Sequence, residues 1–262
     1  MLVLIHPDAP SVARRGAALL ADLIARKPDA VIGVAAGATP LAMYADLVRR
    51  QAEDGLDCSR ITVFGLDEYL GIGNDHPASC HRTLRHHLIA PLRLSPAQAH
   101  LLDSCPGLPL DQVCAAHEAG IRAAGGLDLQ ILGLGVNGHI GFNEPGCCLN
   151  GRTHVVALRS STLATNRAVF APYGEEVPRT AVSMGVGTIL SAGRIMLLAT
   201  GAAKAEPVAL AVEGPLTAMV PASSLQLHAD AVMLLDEAAA ARLTLKDDYK
   251  AEDAALAALQ SP

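Results

Sequence analysis

Short apolar runs that alternate with amphipathic ones constrain this chain more than any other feature. Residues 2–5 precede a helical pattern over 11–26, residues 30–34 precede one over 40–53, and residues 61–66 precede one over 78–90. Farther on, 110–124 reads as helix, 127–132 and 153–158 as strands, 162–170 as helix, 194–199 as strand and 202–212 as helix. Strands that are apolar on nearly every residue must be covered on both faces. In regular alternation with helices they build a mostly parallel sheet with helices on each side. The expected fold is α/β, doubly wound and Rossmann-like. No Pro/Ser-rich linker, composition shift or internal repeat divides the 262 residues, so a single domain is expected.

Composition narrows the partners. A formal charge of −6 comes with no long basic run, no tryptophan, three phenylalanines and four tyrosines. Neither nucleic acid nor a lectin-like sugar platform is expected, because both need basic or aromatic surfaces. Apolar runs such as 195–199 and 231–235 fall far short of the ~20 residues of a spanning helix, so no membrane is expected. The opening MLVLIHPDAP has no basic segment, and its apolar run is shorter than the roughly 7–15 residues of a signal-peptide core. The cytoplasm is the expected compartment. Cysteines 58, 80, 105, 114, 147 and 148 include no CxxC pair. A chain of this length needs no disulfide staples, and reduced packing thiols are expected. That includes the adjacent Cys147 and Cys148, since neighbours bond only with strain and no spacing suggests zinc.

Ligands of open α/β sheets bind beyond the C-terminal strand ends, near the point where strand order reverses. Polar residues directly after an apolar run are therefore the ones to weigh. GVAAGATP (33–40) passes from a strand through small residues into a helix, with Thr39 as the expected N-cap and Pro40 as the first helical residue. Backbone N–H groups and the positive helix end there suit a phosphate, although an ordinary tight connection reads equally well and the P-loop lysine is lacking. GLGVNGHIGFNEPG (133–146) carries Gly133, Gly135 and Gly138 at GxGxxG spacing. A dinucleotide fingerprint must open a helix, and here Pro145 and Gly146 follow instead, which excludes a nicotinamide site.

What remains of that segment is His139 among glycines, with Asn137 two residues before it and Glu144 five after. A lone loop histidine is more often structural. One held beside a carboxylate and left unshielded can act as acid or base near neutrality. GLDEYLGI (65–72) ends a strand in Asp67 and Glu68, which are either turn formers or a carboxylate base at the mouth of the sheet. Lys204, expected in the first turn of the helix after TGAAK, opposes the helix dipole by a few tenths to ~1 kcal/mol. A bound anion explains it better than helix stability does. Arg167, on the helix over 162–170, is a second cation that carries little information alone.

Together these segments resemble the glucosamine-6-phosphate deaminase (isomerizing) family, within the wider group that includes the 6-phosphogluconolactonases. GVAAGATPLAMYADLV resembles its phosphate loop and following helix, FGLDEYLGI its base segment, HPASCHR the stretch after it, and GLGVNGHIGFNEPG its most specific motif. VSMGVGTIL, LLATGAAKA, AVEGPLT and PASSLQLHADAVMLLD follow in the family's order, so the likeness covers nearly the whole chain. The resemblance implies conversion of glucosamine 6-phosphate and water into fructose 6-phosphate and ammonia, with neither metal nor organic cofactor. Carried onto this chain, it makes Asp67 the base that moves a proton from C2 to C1 through an enolamine. His139 opens the sugar ring, oriented by Glu144 with Asn137 beside it. The phosphate rests on Gly37, Ala38 and Thr39 and pairs with Arg167 and Lys204, and residues 154–183 are the candidate lid.

The chain also departs from the family. Some members carry aspartate where this chain has Asn137, and an amide cannot stabilise an imidazolium by charge. An analogous change in a serine-protease triad costs ~10⁴ by misplacing the tautomer. Asparagine also occurs there in the family, so an active site is expected in which Glu144 alone supplies the carboxylate partner of His139. Ala36 and Ala38 stand where threonine and a second glycine are frequent, which narrows the expected phosphate site. Enteric members are allosteric hexamers activated by N-acetylglucosamine 6-phosphate, bound through a serine, an arginine and a lysine at positions that here read Cys147, His154 and Val156. One histidine in place of two cations predicts no such activation, and a homo-oligomer is left open. Three alternative readings stand beside this one. A galactosamine-6-phosphate deaminase differs at one hydroxyl of its substrate, a 6-phosphogluconolactonase-type hydrolase needs no amine, and a phosphosugar sensor would not need Asp67, His139 and Glu144 together.

Overall fold

The apolar pattern becomes strands from the first residues onward. In the computed structural model, which describes residues 1–103, 107 and 109–259 and the backbone of 260, β1 (Leu2–His6), α1 (Ala9–Arg26), β2 (Val31–Val34), α2 (Ala38–Glu53) and β3 (Thr62–Gly65) succeed one another. Asp8 caps α1 by accepting the Ser11 N–H at 2.8 Å. There follow β4 (Asp67–Tyr69), α3 (Cys80–Leu84), β5 (Ala99–His100), α4 (Leu110–Ala123), β6 (Leu129–Gly133) and β7 (His154–Ala157). The chain continues through α5 (Ser160–Phe170), β8 (Thr180–Ser183), α6 (Val186–Leu190), β9 (Arg194–Ala199), α7 (Ala205–Val212), β10 (Ala231–Asp236) and α8 (Lys246–Gln260). Cys105, among the cysteines expected to be reduced, lies outside the described residues.

Seven of these strands form one parallel sheet in the order β1-β10-β9-β6-β2-β3-β5. Successive residues of a strand enter opposite cores. Val31, Leu132, Leu197 and Met233 pack on one face, and Ile32, Ile131, Leu198 and Leu234 on the other. Burial of each such side chain contributes about 1.5–3 kcal/mol, which is why these strands show no polar alternation. The chain lays β3 and β5 on one side of β2 and then returns to place β6 on the other. Winding reverses between β2 and β6, and a crevice opens there at the C-terminal edge of the sheet.

A second sheet of three antiparallel strands, β4-β8-β7, stands over that edge, in register Asp67↔Ser183 and His154↔Ser183. Tyr69, Phe142 and Phe170 pack it against α5, with Tyr69 5.0 Å from Phe142 and 5.1 Å from Phe170 between ring centres. The strand expected over 153–158 is present as β7 but belongs to this small sheet. The run over 61–66 does not end in a free turn either: β3 stops at Gly65, and Asp67 opens β4. Residues 78–90, expected as one helix, divide into α3 and a wider turn over Arg85–Ile89, where the Ala90 N–H reaches the Arg85 carbonyl at 2.9 Å. Among the described residues, no helix is long and apolar enough to cross a membrane.

Candidate active site

The C-terminal ends of β2, β3, β6 and β9 open into one cavity of about 400 Å³. Gly37, Ala38, Thr39, Asp67, His139 and Lys204 all line it. Gly37 has extended backbone angles and its carbonyl accepts the Leu41 N–H at 3.1 Å, so α2 begins at Ala38. Thr39 is therefore not the N-cap, nor is Pro40 the first helical residue. No side chain caps the helix. The N–H groups of its first turn have no helical acceptor, and that turn lines the cavity. The Thr39 hydroxyl, freed from capping, lies 3.3 Å from that of Thr200, the residue after β9.

Lys204 closes a short 3₁₀ turn, Ala202–Lys204, and directly precedes α7 rather than lying inside its first turn. Its Nζ donates to the Leu134 carbonyl at 2.6 Å, and burial lowers its pKa below the ordinary lysine range. A half-buried ammonium and a helix start without a side-chain cap line the same cavity, groups suited to an anion. Arg167, expected to pair with the phosphate, is not among the residues that line the cavity. Thr165, Asn166 and Val169 are the residues of α5 that line the cavity, and Arg167, one step of about 100° around the helix from Asn166, is exposed.

His139, which also lines the cavity, does not hydrogen-bond Glu144 directly. The Asn137 amide stands between them: Oδ1 is 2.7 Å from His139 Nδ1, and Nδ2 donates to Glu144 Oε2 at 2.8 Å. Glu144 Oε2 lies 3.7 Å from His139 Nδ1, beyond a hydrogen bond. Glu144 is the carboxylate the structure sets beside His139, as expected, and the Asn137 amide joins the two as a relay. Donor accounting fixes its direction. A carboxylate can only accept, so Asn137 turns its NH₂ toward Glu144 and its oxygen toward the imidazole. His139 Nδ1 must then carry the proton, which leaves the lone pair of the neutral ring on Nε2.

Asn137 is saturated: it also accepts the His139 backbone N–H at 3.2 Å and donates to Ser161 Oγ at 3.0 Å. Glu144, 3 % exposed, spends its other oxygen on the Arg159 N–H at 3.0 Å. The glycines of the loop have a steric reason. A Cβ at Gly135 would overlap the His139 ring, and Gly138, at φ +83°, faces Val220. Buried Asn143 pins the loop by donating to the carbonyls of Ile140 at 2.9 Å and Met184 at 2.8 Å.

Burial lowers the His139 pKa below the ordinary histidine range, against an opposing pull from Glu144 and with a smaller push from Lys204. Burial likewise raises Asp67 to about 7, helped by the charge of Glu68 and opposed by a hydrogen bond from Cys80. A neutral imidazole and a carboxyl poised near neutrality share one cavity, as acid–base chemistry needs. Tyr69, Cys80 and Asn166 also line the cavity, with Asn166 Nδ2 donating to Tyr69 Oη at 2.7 Å. Nothing in the spacing of GLDEYLGI, HPASCHR or the helical pattern over 162–170 marks these three side chains. Among the described residues, no group of three or more His, Cys, Asp or Glu side chains could hold a metal ion.

Fold and cavity define an α/β protein with a cavity at the reversal point of a parallel sheet, lined by an uncapped helix start, a lysine, a histidine and a carboxyl. Residues 8–234 match the family described as glucosamine-6-phosphate isomerases/6-phosphogluconolactonase, and the chain belongs to that family. It is 44 % identical over 252 residues to a glucosamine-6-phosphate deaminase of Shewanella loihica, covering 95 % of this chain and 92 % of that one. With the deaminase of Cutibacterium acnes it shares 44 % over 253 residues, covering 97 % and 96 %. A solved monomeric glucosamine-6-phosphate deaminase superposes with a TM-score of 0.89 at 38 % identity, over 92 % of this chain and all of that one. The 6-phosphogluconolactonase of Trypanosoma brucei, at TM-score 0.75 and 18 % identity over 93 % and 98 % of the two chains, shares the fold.

Proposed function

We propose that this protein is an isomerising deaminase that converts glucosamine 6-phosphate and water into fructose 6-phosphate and ammonia. The observation that carries the reading is the opening of Asp67 and His139 into the same cavity as the start of α2 and Lys204. The deaminase names of relatives at 44 % identity point the same way. The phosphate rests on the first turn of α2, through Gly37, Ala38 and Thr39, and pairs with Lys204. Binding energy from this unreacting end orients the rest of the sugar.

His139 Nε2 takes the proton of the anomeric hydroxyl and returns it to the ring oxygen as the C1–O5 bond breaks, giving the open-chain aldehyde. Asn137 and Glu144 hold the tautomer this requires. Asp67 then removes the C2 proton while the substrate's ammonium passes a proton to the C1 oxygen, forming the neutral enolamine. The same carboxyl delivers its proton to C1, which leaves a ketimine at C2 that water hydrolyses to the ketone and ammonia. A base with a pKa near the working pH serves both directions of this transfer. Residues 154–183, which comprise β7, α5 and β8, act as a lid over the sugar.

The test is release of ammonia and fructose 6-phosphate from glucosamine 6-phosphate, with galactosamine 6-phosphate and 6-phosphogluconolactone in parallel and Asp67→Asn as control. Turnover of the gluco substrate that is lost in Asp67→Asn is the expected result. Turnover of only the galacto epimer or the lactone overturns the substrate, and binding without turnover overturns the enzyme.

A further inference from the structure

Asp67 and Tyr69 are the first and last residues of β4, two positions apart, so their side chains leave the strand on one face. Both residues line the cavity. The Tyr69 ring is held from two elements: Phe142, on the loop of His139, lies 5.0 Å away between ring centres, and Phe170, on α5, lies 5.1 Å away and edge-on. Its hydroxyl oxygen accepts Asn166 Nδ2 at 2.7 Å. Asn166 stands one turn before Phe170 on α5, so a single helix face fixes both the ring and the hydroxyl. That bond spends the acceptor of the phenol and one N–H of the amide. Among the described residues the Tyr69 O–H has no acceptor of its own, and Asn166 Oδ1 has no donor. Thr83 and Thr165, which also line the cavity, have already given their hydroxyl protons to the carbonyls of Ser79 at 2.8 Å and Ser161 at 2.9 Å.

We infer that Tyr69 and Asn166 form the recognition site for one sugar hydroxyl: the phenol O–H donates to it and the Asn166 carbonyl accepts its proton. The inference rests on the proposed substrate for its meaning. A hydroxyl is a donor and an acceptor at once, and a free O–H beside a free amide oxygen is its complement. In the proposed reaction of glucosamine 6-phosphate, C1 and C2 belong to the base, the ring oxygen to His139 and C6 to the phosphate site. The hydroxyls at C3 and C4 are left for this pair. A phenol on the strand of the base also invites the reading of a proton donor to the reacting C1 oxygen, which its surroundings oppose. Burial, reinforced by Cys80, Asp67 and Glu68, pushes the Tyr69 pKa above the ordinary phenol range. A phenol that resists ionising is poorly matched to proton transfer near neutrality, yet it keeps its proton for a hydrogen bond.

Tyr69→Phe keeps the ring and removes the hydroxyl, and Asn166→Ala, at a half-buried position of α5, removes the amide. Each variant is assayed on glucosamine 6-phosphate and on its 3-deoxy and 4-deoxy analogues. The expected result on the full substrate is a loss of kcat/KM of roughly 5- to 150-fold for each variant, the range for a polar group left unpaired. On one analogue, which identifies the hydroxyl, both variants stay within about twofold of the unaltered protein, while the other analogue reproduces the loss. An equal loss on all three substrates overturns the role, since a packing defect is blind to a substrate hydroxyl. A pH profile of kcat/KM that changes shape in Tyr69→Phe also overturns it, in favour of proton transfer. Calorimetric binding of glucitol 6-phosphate and its 3-deoxy and 4-deoxy relatives repeats the comparison with ligands that cannot react. That arm decides for Tyr69 and Asn166 even if glucosamine 6-phosphate is not turned over, an outcome that would fall on the proposed reaction alone.

Discussion

Replacing Glu144 by glutamine exchanges one oxygen for an NH₂ and leaves the shape of the side chain intact, yet the hydrogen bonds around it cannot survive the exchange. Glu144 accepts twice, from the Arg159 N–H at 3.0 Å and from Asn137 Nδ2 at 2.8 Å. An amide in its place has a single oxygen. If that oxygen keeps Arg159, the new NH₂ faces Asn137, which must turn its own amide over. Asn137 Nδ2 would then confront the His139 backbone N–H, and the ring would have to move its proton to Nε2, losing the lone pair that faces the sugar. If the oxygen keeps Asn137 instead, the new NH₂ faces the Arg159 N–H. Either arrangement leaves a buried donor against a donor, at about 1–3 kcal/mol. We therefore expect Glu144→Gln to lower kcat/KM on the cyclic substrate by roughly 5- to 150-fold, from the same energy. The assay is initial-rate ammonia release at neutral pH, with thermal unfolding to confirm the fold and ¹⁵N spectra of the imidazole to read its tautomer. A variant within about twofold of the unaltered protein, still protonated at Nδ1, would refute the relay.

Gly135→Ala places a Cβ inside the His139 ring and should displace the imidazole, costing activity far more than stability; comparison of kcat/KM with the urea midpoint tests this. Lys204→Ala removes the ammonium that lines the cavity and should raise KM about 10- to 150-fold, from the ~1.5–3 kcal/mol of a charged hydrogen bond. Arg167→Ala, on the exposed side of α5, should raise KM by less, and an equal or larger effect would show that α5 turns when the sugar binds. His117, 7 % exposed with Nε2 unpartnered among the described residues, is held down to about 4 by burial. Its folded pKa lies below the unfolded value of 6.5, so the unfolded chain binds the extra proton. Stability is full above about pH 6.5 and is lost as pH falls toward 4, by about 3 kcal/mol at 1.36 kcal/mol per unit. Urea unfolding of His117→Gln should lack that part of the pH dependence, and parallel profiles for the two proteins would remove His117 as its source.

Much of the site was readable in the linear order of residues, because the chemistry sits where strands end. An apolar run followed by glycines and a few polar residues places His139, Asn137 and Glu144 on one loop whatever the rest of the chain does. The run over 30–34, followed by small residues and a helix, likewise places Gly37, Ala38 and Thr39 at a helix start. These are consequences of local periodicity and of helix geometry, which act over a few residues. The alternation of strands and helices determined the doubly wound fold for the same reason.

Other features depend on groups far apart in the chain, and no local pattern could announce them. Asp67 begins a strand because it pairs with Ser183, and that pairing carries the chain out of the main sheet and turns the base toward the cavity. Asn137 became the middle of a relay only when Arg159 and Ser161, at the start of α5, closed around Glu144 and its amide. Asn166 rather than Arg167 lines the cavity because the docking of α5 through Phe170 against Tyr69 sets the rotation of that helix, and one residue of phase moves a side chain by about 100°. Residue types and their places at strand ends were determined by the sequence itself. Which side chain faces which was decided by packing, since a hydrogen bond needs its partners within a few tenths of an ångström and only the assembled tertiary structure holds them there.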